Sequence, residues 1–339
     1  MITASLIGAA CGANDAGVEA WRAQPAGQPG EPPATVGRLQ PGPDLSLPVE
    51  PPAEGAVADT AAADAPAGPA TASSVFPATL PAAPQTPLTF GWIVPCAVSV
   101  TEQREFADTT STLEYTVHLD ADAVTGALVM SQSDLRVITA NGEVPGPDVV
   151  EFVTVGMRIP DVLVGFDGIQ TDVRGAAELF DEMLAVGIFD ATTTAEDRTT
   201  AESRLETTAA LKYWNAWVGL WAQLGQVPVE DFVSGGQKVE TLESPTADRV
   251  RLRFTEDLTG AALAEALGQS AAEGGDPTLY ENVRRLKVVE AVTDPATLRP
   301  DSASYRFDVT GEIDNEPQSV HEVHAVEFNW TTAQGCGLN

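Results

Sequence analysis

Lysine occurs only three times among the 339 residues and histidine only three times, while Asp and Glu together number 49 and leave a formal net charge of −31. Phosphate binding along a nucleic acid needs clustered cations that displace counterions, and no basic block or stripe exists here, so no nucleic-acid partner is expected. The same deficit disfavours electrostatic attraction to an anionic membrane surface. No apolar run reaches the roughly 20 residues needed to span a bilayer as a helix. With three cysteines and no CxxC, neither a disulfide-dense scaffold nor a cysteine metal site is indicated.

Catalytic motifs are also missing: there is no GxSxG, no GxxxxGK[ST], and no GxGxxG following a strand. His321 and His324 are three apart in VHEVHAVEF, which on a strand points them to opposite faces, and the four-residue interval of HExxH is absent. His118 sits between Val117 and Leu119 and is expected to face solvent. The DADAVTG stretch from Asp120 to Gly126 lacks the ligand spacing of a calcium loop and reads as a turn. No catalytic residue, metal or cofactor is therefore assigned, and an enzyme is not the expected class.

Proline is abundant but uneven, with 15 of 25 lying between Pro25 and Pro87 amid alanine and glycine. Such composition offers no periodic large apolar residues for a core. The expected organisation is a signal-like segment at 1–10, a disordered Pro/Ala/Gly-rich linker at 11–86, and a globular region at 87–339.

In the first segment, Leu6, Ile7, Gly8, Ala9 and Ala10 run into Cys11. This resembles a bacterial lipoprotein signal, in which the chain is cut before the cysteine and that cysteine is acylated. The resemblance implies lipidation at Cys11 and a membrane partner reached through a covalent lipid anchor. Gly12 rather than Asp follows it, which in Gram-negative lipoproteins would favour the outer membrane. The linker suits an anchor, because it would reach on the order of 200 Å if extended and about 50 Å as a coil. Cys96 and Cys336 flank the globular region and are expected to pair, which fits an oxidising, exported compartment.

From Leu88, alternating apolar residues predict strands: Leu113 to Leu119, Ala127 to Ile138, Val149 to Met157 and Ile159 to Phe166, with turns at Asn141-Gly142 and Asp167-Gly168. An amphipathic helix is predicted from Gly175 to Val186. A second is announced by two overlapping capping boxes, Thr193 with Glu196 and Thr194 with Asp197. On it Leu211, Trp214, Val218, Trp221 and Leu224 form one stripe, with Trp217 beside it.

Strands then return around Val250 to Phe254, where Arg249, Arg251 and Arg253 form the alternate face and are expected to answer nearby carboxylates. A short helix at Ala261 to Leu267 precedes strands at Leu286 to Val292, Ala303 to Ile313 and Val320 to Trp330. The fold class is α+β, with largely antiparallel sheet before and after a central helix pair at 175–224, either as one unit or as two sheet-containing lobes.

Two functions of different classes fit this pattern. One is an envelope-displayed structural or interaction module with a packed interior and a protein partner. The other is a carrier of a lipid ligand, with an apolar pocket lined by Trp214, Trp217 and Trp221; the element order resembles that of half-barrel lipoprotein carriers.

Overall fold

Strand β1 (Ile93–Phe106) alternates buried and open side chains along its length, so Cys96, Val98, Val100, Glu102, Arg104 and Phe106 share one face. That face carries apolar residues first and charged ones afterwards, and the rest of the molecule is arranged along the same gradient. In a computed structural model of the protein, residues 86–189, 192–228, 232–267, 277–313 and 316–337 are described. The signal-like segment, Cys11 and nearly all of the expected linker lie outside them.

Strands β2 (Thr109–Ala121) and β3 (Leu128–Ala140) follow β1 as a meander, then β4 (Asp161–Val164) and β5 (Gln170–Arg174). After the helices come β6 (Phe232–Ser234), β7 (Gln237–Leu242), β8 (Val250–Thr259), β9 (Arg284–Thr293), β10 (Pro300–Ile313) and β11 (Glu316–Cys336). All of these belong to one 11-stranded sheet in the order β5-β4-β3-β2-β1-β11-β10-β9-β8-β7-β6. The fold is α+β, and the two sets of strands are joined through the antiparallel β1–β11 pair at the middle of the sheet. There the two cysteines are bonded, Cys96 to Cys336, with an S–S distance of 1.99 Å.

Helix α1 (Pro147–Gly156) corrects the expected strand at Val149 to Met157. Its valines favour a strand locally, but Gly146-Pro147 starts a helix readily and Val153 and Met157, four apart, both reach the core. Helix α2 (Ala176–Ala185) buries Leu179, Phe180 and Met183 against α3 (Ala195–Thr208). Of the two expected caps, Thr194 starts α3: Asp197 N–H donates to its Oγ1 at 3.2 Å and Asp197 answers with its carboxylate.

From Ala209 to Gly219 the helix continues with π geometry, then closes as α4 (Leu220–Leu224) before Gly225, which takes a left-handed conformation. The wider π turn changes which residues face inward. Leu211 is 44% exposed instead of lying on the buried stripe, while Trp214, Trp217 and Trp221 all lie in the core.

The π-helical segment touches β4 and β5 near one edge of the sheet and also β9 and β10 well past its middle. β5 and β9 are seven strands apart in the sheet order, about 34 Å if it were flat, whereas a helix is only about 10 Å across. The sheet must therefore curl around the helix, which lies on its concave face. Helix α5 (Gly260–Ala266) and the short 3-10 turn Pro277–Tyr280 cover a smaller cluster with Leu258 and Val283.

Candidate functional site: the concave face beneath the tryptophan helix

At the disulfide end the space between helix and sheet is filled by aromatic rings. Trp214, Trp217 and Trp221 are at most 1% exposed. Trp214 meets Phe90 and Trp92 edge-on, Trp92 meets Trp330 at 5.1 Å between centroids, and Trp217 meets Phe328 at 5.3 Å. Three buried indole N–H groups find carbonyls: Trp214 donates to Gly168, Trp92 to Leu298 and Trp221 to Ala216. Gly168 closes the expected Asp167-Gly168 turn at φ +84, and a Cβ there would lie 2.7 Å from the Phe90 ring. The glycine thus lets the turn carry its carbonyl under Trp214.

Moving along β1, two residues after Val100, the same face becomes ionic, and strand register shows how. In one row Arg104, His324, Tyr305, Val289 and Phe254 stand opposite one another across five strands. The next row runs Phe106, Glu322, Phe307, Lys287, Glu256 and Gln237 across six. Directly opposed residues share a face, so these charges look toward the helix.

Glu102 is the hub, completely buried. Arg104 grips it with Nε at 2.7 Å and Nη2 at 3.2 Å, and His324 Nδ1 lies 2.8 Å away. His324 Nε2 meets Glu322 at 2.8 Å, and Lys212 of the π-helical segment donates to both Glu322 oxygens at 2.6 and 2.8 Å. Each ring nitrogen of His324 thus lies against a different carboxylate, which fixes the imidazole between Glu102 and Glu322. Burial alone would raise the Glu102 and Glu322 carboxyls; Arg104 and His324 for the first, and Lys212 and His324 for the second, outweigh it and hold each at about 2.

Arg104 also donates to the Met157 carbonyl at 3.1 Å and lies over the Tyr213 ring. Burial raises the Tyr115, Tyr213 and Tyr305 hydroxyls, keeping all three protonated. Tyr115 feels the Glu102 charge yet makes no hydrogen bond of normal length.

Beside this hub, Arg285 Nη2 donates to Glu256 at 3.0 Å and Lys287 lies 3.8 Å from the same carboxylate, its ammonium over the Phe254 ring. Gln237 donates to the other Glu256 oxygen.

The chemistry open to this arrangement is restricted. Both nitrogens of His324 face carboxylates, so neither is directed at a hydroxyl or thiol that it could activate. On the outer face the half-buried His118 Nε2 lies 2.8 Å from Ser133 Oγ, but Asp134 bonds the serine rather than the far side of the imidazole, so the orienting partner of a triad is not in place. His321 faces outward onto Asp308. Among the described residues no cluster of three or more metal-ligating side chains occurs, and Asp122 caps its own turn through Val124 and Thr125.

The arginine stripe meets carboxylates as expected: Arg249 on Asp301, Arg251 and Arg253 on Glu290. A trough of 440 Å³ lies on the outer sheet face beside Thr101, Gln103, Ser302 and Ser304, and another of 350 Å³ lies near Gly236 and Arg284. Neither is lined by Trp214, Trp217 or Trp221.

The ionic hub escaped sequence reading, although its signal was present: β1 and β11 each place charged residues where alternation demands apolar ones, Glu102 and Arg104 in one, Glu322 and His324 in the other. Comparison of the sequence with protein-family models and with curated proteins returns no match. Among the described residues no helix is long and apolar enough to cross a membrane.

Proposed function

We propose that this protein is a non-catalytic structural or interaction module of a bacterial envelope, exported, anchored through lipid on Cys11 and held away from the membrane by its Pro/Ala-rich linker. The observation that carries the packed-module reading is the fully enclosed state of Trp214, Trp217 and Trp221, whose rings occupy the volume a ligand would need. The disulfide between the first and last strands of the sheet supports an oxidising location. Fractionation tests the anchor: the native chain is expected with membranes, Cys11→Ala in the soluble fraction, and a Cys11→Ala chain that stays with membranes overturns it.

A carrier of an apolar ligand is the second reading, favoured by the sheet's curl around a helix with π geometry over 11 residues. In it the helix would swing aside and the ligand would replace the indoles. Titration with a brominated fatty acid separates the two. A packed module keeps its tryptophan emission, whereas a carrier loses a large fraction of it at stoichiometric ligand.

A further inference from the structure

Two of the chain's three lysines, Lys212 and Lys287, stand on the concave face in a protein that is otherwise overwhelmingly acidic. With Arg104 and Arg285 they make four positive charges. The carboxylates that meet them are three, Glu102, Glu256 and Glu322. The excess is concentrated where the face reaches water: Arg285 and Lys287 share the single carboxylate of Glu256, and their side chains are 19% and 25% exposed. Arg285 keeps a buried Nε–H that has no acceptor. A guanidinium offers five donors in a planar fork suited to an oxyanion, and here Nη2 is used by Glu256 while Nε–H is not.

We propose that Arg285 and Lys287 form a binding site for a phosphate group, either free or as the head of a phospholipid. Its oxygens would accept from the Lys287 ammonium, which Glu256 meets at only 3.8 Å, and from the Arg285 Nε–H once the partly exposed guanidinium turns toward the ligand. Phe307 and Phe254, on the same rows as Glu322, Lys287 and His324, give the site an apolar floor that excludes water and strengthens the charge interaction. Burial and the adjacent Arg285 lower the Lys287 ammonium's affinity for its proton, despite Glu256; an added anion would relieve that cost. This site stands apart from the tryptophan-lined end, so it holds whether the indoles are packed permanently or move aside.

The test is calorimetric titration of the full chain at low ionic strength with inorganic phosphate, with a short-chain phosphatidylglycerol below its micelle concentration, and with chloride as the reference anion. Phosphate is expected to bind and chloride not. The double substitution Arg285→Gln with Lys287→Gln is expected to weaken phosphate at least tenfold, and Arg251→Gln on the outer face to leave it unchanged. Lys287→Met, which keeps the stem over Phe254, serves if the double variant does not fold and should cost several-fold. Equal affinity for the two phosphate probes identifies a site for the free anion, and much tighter binding of the lipid identifies a head-group site. Phosphate binding no better than chloride, or equally weakened by Arg251→Gln, overturns the proposal.

Discussion

The two ends of the concave face bury side chains by opposite physics. At the disulfide end, indole and phenyl rings lose water on packing, and each large ring contributes favourably in proportion to its area. At the other end, charges are removed from water and regain the loss only through close partners, a balance that in proteins comes out near zero or unfavourable. The first end therefore explains why the domain folds. The second needs another reason to exist, such as fixing one helix position on the sheet or holding a ligand.

The sharpest way to break this contrast is to remove one anchor from each end. Trp214→Ala is expected to cost about 3–5 kcal/mol in urea unfolding, since the ring is fully enclosed and its neighbours can only partly collapse. Glu102→Gln should cost a similar amount, about 3–5 kcal/mol, because it strands Arg104 and His324 without their carboxylate. Replacing Glu102, Arg104, Lys212, Glu322 and His324 together with apolar residues of like volume should cost far less than the single change. A large loss there would mean that the ionic end stabilises the fold after all.

Acid sharpens the same point. Glu102 and Glu322 are held at about 2 in the folded chain, below the ordinary carboxyl value of 4.5, so the stability they add is complete above that ordinary value. It is lost progressively as pH falls from there toward 2. Urea midpoints measured between pH 6 and pH 2.5 should fall steeply for the native chain and less steeply for Glu102→Gln.

Smaller effects follow from the scaffold that carries both ends. Replacing Cys96 and Cys336 by serine releases a bridge across a separation of 240 residues and should cost about 2–4 kcal/mol. Gly168→Ala meets both a positive φ and the Phe90 ring, and about 1–3 kcal/mol is expected by the same assay. Arg136→Ala removes only an exposed pair with Glu114, so its midpoint should stay within about 0.5 kcal/mol of the native chain.

Legibility in the sequence divided along the same line. Alternation such as Leu113, Tyr115, Val117 and Leu119 placed the apolar half of the face correctly, because period-two burial is a local property. The joining of both strand sets into one sheet was not legible, since the β1–β11 pairing links residues more than 200 apart and depends on tertiary packing. Helix α1 was misread because valine's strand preference is weak beside the contacts of Val153 and Met157. The shared inward face of Trp214, Trp217 and Trp221 was legible in their spacing of three and four, whereas the exposure of Leu211 was not. The ionic hub was hidden for a different reason: a charged residue at an inward position looks like an interruption of the pattern until its partners on other strands are known.

The central claim, that the tryptophan end is packed by the protein's own rings, is tested most directly by native mass spectrometry of the protein purified without detergent or reductant. The expected spectrum shows the folded region with no extra mass that denaturation releases as an apolar molecule. A stoichiometric lipid, lost on unfolding and absent from a Trp214→Ala variant, would contradict the account and make the carrier reading correct.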